Sequence, residues 1–391
     1  MNNTSPSPGT MTARERLEAA YRGDPVDRVP LWFREGFPFL GEPANADDFR
    51  NGWQADPLYR ELFDLLKPHA ALYAGWGIGG QNRFLMVPPE VMESTTEEVS
   101  PDIKRRHTVI HTPKGDLTAI GEIHRNEATS WRIKHPVETL DDLLKLRDVP
   151  YSFDETRIDR AIEAYENATA QVGDRGVVET WFSSPMVCIS GAMPLQLFLE
   201  LTVTERELIH ELCEDITQRI LFMLDKLFER GIRFRSVANM GGSEQCTPPM
   251  TRPEGYDEFV VPYDGRIVER CRREGIPFKI HCHGKIRHAL KCMREMGVDA
   301  TDPVEPPPAG DVTYAEAREI AGDDVTLVGN LQFDELEFAE PQHIRERVKE
   351  ILSHGNRRLI LGASAGPITR VTPKLVENYR AWLETALEYG Q

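Results

Sequence analysis

The sequence predicts an α/β chain folded as a single (β/α)₈ barrel, with an N-terminal extension and a β-hairpin excursion on the barrel rim. Three observations predict it. From about Gly173 onward, an amphipathic helical run, a glycine and a short β-rich run recur in that order, and strands that alternate with helices imply a parallel sheet. Polar residues gather just past the β-rich runs, as they do where barrel strands end on one functional rim. No Walker-type phosphate loop is present, which removes one usual sign of an open nucleotide-binding sheet.

The elements follow in order. Residues 1–10, MNNTSPSPGT, are polar and rich in Pro and Ser, and are expected to form a disordered tail ahead of one domain over residues 11–391. The first 150 residues are less regular than the rest. LTAIGEIH and EATSWRIKH read as the strands of a hairpin excursion, with TPKGD at its turn. Further on, Leu208, Leu212, Ile216, Ile220, Leu224 and Leu227 fall at helical spacing, and Gly231 stands where a helix would end. IRFRSVAN then reads as a strand. A helix through Tyr256 to Arg273 stops at Gly275 and gives way to IPFKIHC. Another over Ile286–Met296 stops at Gly297 before VDATD, and two further steps lead through DDVTLVGN and RRLILGAS.

Composition excludes several classes. The chain has 391 residues, 40% hydrophobic and 28% charged, as soluble globular proteins do. A net charge of −17 argues against a nucleic-acid partner, whose phosphates it would repel. The six cysteines are scattered, with no CxxC pair, which reads as reduced thiols in a cytoplasmic protein. The longest apolar stretch, Val187–Leu201, is interrupted by Gly191, Pro194, Gln196 and Glu200, so no membrane span is expected.

Several phrases carry a resemblance. MTARERLEAAYRGDPVDRVPLW, WFSSPMVCISG, MTRPEGYDEFVVPY, IHCHG, GVDATDPVEP, VGNLQFDEL and LILGASAGPITRVTPKLVENY occur in that order and resemble the successive blocks of the uroporphyrinogen decarboxylase superfamily. True decarboxylases of that superfamily hold a polycarboxylate with two early arginines, an aspartate after an early strand and a late histidine. Here FREGFPF keeps Arg34 but has an apolar residue at the second arginine position, AALYAGWG has no aspartate, and LGASAG has no histidine. The chain is more similar to the zinc-dependent methyltransferase branch, whose metal is held by an HxC pair, a later cysteine and often a glutamate. In this chain the pair is His281-x-His283, the later cysteine position falls near Ser364, and Glu244 lies close to the glutamate position.

Alternate residues of a strand share a face, so His281 and His283 can both look into the barrel mouth with Cys282 turned to the helices. With Glu244 they would make a His₂Glu site that leaves a fourth position open, as catalytic zinc sites do. Two hydrogen-bonded histidines without metal are the alternative. Cys246 reads either as a further ligand or as a small buried hydrophobe. Glu179 reads as a proton acceptor, as a partner orienting a histidine, or as a rim ion pair. Arg34 is read as a carboxylate clamp or as the partner of a local acid. Asp302 and Asn330 end strands and are expected to line the pocket, while Asn239, Trp181 and Ser364 are expected to contact a bound cofactor. Trp32 reads as core; Trp76 and Trp181 read as core or as an aromatic wall.

The resemblance implies a metal-assisted methyltransferase using zinc, which moves a methyl group between a small methylated substrate and a corrinoid carried by a partner protein. It also implies a homodimer. A carboxy-lyase acting on a small or tetrapyrrole acid is the alternative, and a catalytically inactive corrinoid- or ligand-binding barrel is the second.

Overall fold

The β-rich runs become strands. In the computed structural model, which describes residues 9–34, 36–77, 82–232, 236–368 and 370–391, the strands in chain order are β1 Leu31–Trp32, β2 Leu72–Trp76, β3 Met92–Ser100, β4 Ile103–Ile110, β5 Leu117–His124, β6 Trp131–Lys134, β7 Gly176–Ser183, β8 Ser236–Gly241, β9 Phe278–His281, β10 Ala300–Asp302, β11 Thr326–Leu331 and β12 Leu359–Ala363. Eight of them form one parallel sheet in the order β1-β12-β11-β10-β9-β8-β7-β2. A single parallel bridge, Leu31 to Ala70, joins the two ends, with the Ala71 amide donating to the Leu31 carbonyl at 2.7 Å. The result is a (β/α)₈ barrel. Its strands are covered on both faces, which is why TLVGNL and LILGA are buried at every position.

The helix Ala13–Arg22 plugs the floor of the barrel. Thr12 closes a capping box with Glu15 at its start, and Gly23, at φ 72°, ends it in a left-handed turn. Leu17, Ala20 and Tyr21 then pack against Val177, Val237, Ala300, Val328 and Ile360, which point inward from five different strands. The buried Arg16–Asp27 ion pair, 2.5 Å, ties this helix to the loop leading into β1.

Two expectations need correction. The run expected as one helix over Tyr256–Arg273 is two, Glu254–Phe259 and Val261–Arg273. Pro262 lacks an N–H and crowds the residue before it, so the chain can only start a new helix there. The expected hairpin is a four-stranded antiparallel sheet, β3-β4-β5-β6, with TPKGD between β4 and β5. Its first strand, MESTTEEVS, is polar and mostly exposed on both faces, so it carries no alternation to read. The strand expected over IRFRSVAN is described from Ser236 onward, and residues 233–235 of that run lie outside the described residues. So do residues 1–8 of the expected tail. Among the described residues, no helix is long and apolar enough to cross a membrane.

Candidate active site

The site grows from β9, whose residues FKIH alternate about the sheet. Phe278 and Ile280 turn to the surrounding helices and belong to the main core. Lys279 and His281 therefore point into the barrel. Lys279 is fully buried, with its Nζ 2.8 Å from Glu179 of β7 and 3.4 Å from Asp302 of β10. The same ammonium lies 4.4 Å from the Trp32 ring and 4.9 Å from the Tyr73 ring. Burial opposes its charge, but Asp302 and Glu179 hold its pKa above the usual lysine value. A lysine kept charged in this way is a fixed cation and not an amine nucleophile.

Asp302 is the hub of the next layer. It accepts from Arg34 at 2.6 Å and meets His281 Nδ1 at 3.0 Å. Burial alone would raise its carboxyl, yet the charges of Lys279, His281 and Arg34 hold it well below the usual carboxylate range. Arg34 also stacks over Trp32, 4.7 Å from guanidinium carbon to ring. Trp32 thus sits inside the barrel between two cations, while Trp76 packs edge-on against Tyr165 in the core.

Above this layer His281 and His283 meet edge to face, with ring centroids 4.7 Å apart. His283 Nδ1 lies 3.1 Å from Glu305, and Glu244 accepts the His283 backbone N–H at 3.2 Å. Burial favours a neutral His283, but Glu305 raises its pKa. One donor atom from each of Glu244, His281 and His283 falls within 4.8 Å of the others. Each histidine spends Nδ1 on a carboxylate, which leaves Nε2 open. That is how histidines that bind metals are usually oriented, and two nitrogens with a carboxylate oxygen suit zinc. The donor set fits the metal that the resemblance implies. Trp181, nearly half exposed, leans over His281 at 5.6 Å between ring centroids.

The other candidates fall elsewhere. Glu179 pairs with Lys279 inside the barrel and touches neither histidine; Asp302 and Glu305 do the orienting instead. Asn239 stands beside Lys279 in register, and its Oδ1 is buried without a hydrogen-bond partner among the described residues. Asn330 donates to the Val304 carbonyl and accepts from Arg347, so its amide is spent away from the histidines. Ser364 accepts the Phe333 amide at the start of the helix Phe333–Phe338. Cys246 is fully buried in the core, where burial raises its thiol far above the ordinary value, and it is not among the three clustered donors. Sequence reasoning missed Lys279 and Glu305. The signal for Lys279 was its place two residues before His281, on the same face of the strand.

A curated relative, the uroporphyrinogen decarboxylase of Myxococcus xanthus (strain DK1622), is 26% identical over 227 residues, which is 56% of this chain; the chain spans 60% of that relative's length. A solved structure, a methyltransferase from Methanosarcina mazei, superposes over 97% of this chain and 99% of its own, with a TM-score of 0.60 and 16% identity, a likeness of fold. Residues 110–389 match the family model for uroporphyrinogen decarboxylase (URO-D). A match that runs from the end of β4 to the last helix takes in most of the barrel, and it makes this chain a member of the uroporphyrinogen decarboxylase family.

Proposed function

We propose that the protein is a metal-assisted methyltransferase, with Glu244, His281 and His283 as ligands of a zinc ion. The observation that carries this reading is the pair of carboxylates, Asp302 and Glu305, each holding the Nδ1 of one histidine. A zinc ion held there supplies a Lewis acid for the heteroatom that bears the methyl group. Lys279 fixes Asp302 from below, and Asp302 fixes His281 in turn, so the ligand geometry is set before substrate arrives. Trp181 gives the mouth an apolar flank for a small methylated substrate. The exposed rim above it is where a partner protein carrying the corrinoid would dock to exchange the methyl group.

The test is metal content. Purified protein should retain about one zinc per chain, and His281→Ala combined with His283→Ala should lose it. Zinc-free wild type after purification without chelators and reloading would sink the reading.

A second reading, a carboxy-lyase, is favoured by the name of the Myxococcus relative and by the buried arginine Arg34 inside the barrel. Arg34 is already committed to Asp302 at 2.6 Å, so a substrate carboxylate would have to share it. Carbon dioxide release from candidate acids by zinc-free protein would support this reading over the first.

A further inference from the structure

The four-stranded sheet β3–β6 lies beside the barrel rim, near Arg83 and Gly191. Between it and the rim lies a cleft of about 730 Å³, within the size range of small-molecule sites. Its lining is cationic in a chain whose net charge is −17. Arg106 of β4 and Arg132 of β6 both pair in register with Gly121 of β5, so the two arginines flank a position with no side chain. A Cβ at Gly121 would meet only the Trp131 carbonyl, at 3.8 Å, so the floor between the guanidinium groups is open. Lys104 lies on the same face two residues before Arg106, and Arg83 and Arg50 approach from the barrel side.

Among the described residues, no acid neutralises these cations. Among the described residues, Arg83, Arg106 and Arg132 make no ion pair, and Glu122, the one carboxylate on the wall, is committed to Arg105 at 2.6 Å and His124 at 2.7 Å. Partial burial, followed by the charges of Arg106 and Arg83, lowers the pKa of Arg132. Like charges held together unneutralised destabilise the free protein, and an anion seated among them removes that repulsion. The cleft also leads somewhere. Arg83, His135 and Gly191 line it and also line the adjoining cavity that Glu244 reaches.

We propose that this cleft binds a small polyanion, a molecule with two or more phosphate or carboxylate groups, gripped between Arg106 and Arg132 over Gly121 and by Arg83 from the rim. The site stands apart from the metal reading, since none of its cations is a candidate ligand of the ion. Phosphate and carboxylate share the chemistry that arginine recognises, and the probes separate them.

Isothermal titration of the full chain with pyrophosphate and with citrate, at fixed ionic strength, tests the proposal. Wild type should bind at least one, and Arg106→Gln and Arg132→Gln should each weaken it by roughly tenfold or more. Preference for pyrophosphate assigns the anionic groups as phosphates, and preference for citrate assigns them as carboxylates. Lys291→Gln with Arg273→Gln, which removes two exposed positive charges from the outer helices, should leave binding unchanged. Circular dichroism and unchanged zinc content would show that the cleft variants are folded. No binding of either probe to wild type, or equal binding by the arginine variants, would overturn the proposal.

Discussion

At the scale of single residues, the interior charges decide what can be changed. Lys279 is fully buried, and its loss would take from Glu179 its partner cation while Asp302 keeps Arg34 and His281. Breaking one side of such a buried group typically costs about 3–5 kcal/mol. Lys279→Met should therefore lower the urea midpoint by that equivalent, and adding Glu179→Gln should recover part of it; a double variant as unstable as the sum of its parts would contradict the pairing. Asp264 makes a different test. Its carboxyl is wholly buried, with one hydrogen bond from Ser184 at 2.9 Å, and burial pushes its pKa from 3.8 up to about 8. Below the lower value both states hold the proton. Between the two values the unfolded chain alone releases it, so stability is lost as pH rises through this window and levels off above 8. Asp264→Asn should thus gain stability over wild type between pH 5.5 and pH 8, by up to ~1.4 kcal/mol per pH unit. A gain that is the same at both pH values would show that the group titrates normally.

At the scale of elements, the helix–glycine–strand rhythm made the barrel legible, because each parallel strand must be apolar enough to be buried on both faces. The His281–His283 pair was legible for a related reason, since alternation in a strand needs only the sequence. The sheet β3–β6 was harder to read. It is solvated on much of its surface, so Thr95, Glu97 and Arg106 give no apolar period, and its pairing is written in register and not in hydropathy. Lys279 was overlooked because a lysine in a strand reads as an outward residue, and only the carboxylates of β7 and β10 make its inward position tolerable. Glu305 comes from the loop after β10, whose course no local pattern specifies. The joint between β8 and β9 can be tested directly. Gly242 donates its amide to the His281 carbonyl at 2.6 Å, and a Cβ there would lie 2.6 Å from the same oxygen and 2.8 Å from Ile280. Gly242→Ala should force the end of β9 outward, cost roughly 1–3 kcal/mol as overpacking does, and reduce zinc retention although no ligand is altered. Full zinc content in a destabilised variant would show that the ligands do not depend on this joint.

At the scale of the whole molecule, charge is sorted by position. The chain carries −17 overall, yet inside the barrel Arg34 and Lys279 are matched by Asp302 and Glu179, and arginines without an ion pair among the described residues line the cleft beside it. The acidic surplus therefore belongs to the outer surface, where self-repulsion opposes the compact state. Surface ion pairs such as Arg273–Glu269 and Lys291–Glu295 offset little of it, because exposed pairs contribute about 0–1 kcal/mol each. Salt separates the two populations of charge. Raising sodium chloride shortens the screening length to about 8 Å at 0.15 M ionic strength, which weakens repulsion between exposed carboxylates and leaves the pairs on Lys279 nearly untouched. At pH 8 the melting temperature of wild type should rise by a few degrees between low salt and 0.15 M, as measured by differential scanning calorimetry. The destabilisation caused by Lys279→Met, taken as the difference from wild type, should stay constant over the same range. A melting temperature that falls with salt would mean that attractive surface pairs outweigh the net repulsion. A Lys279→Met difference that shrinks with salt would mean that water reaches the interior pair, and that Asp302 orients His281 from a wetter barrel than the packing of Trp32 and Tyr73 around Lys279 implies.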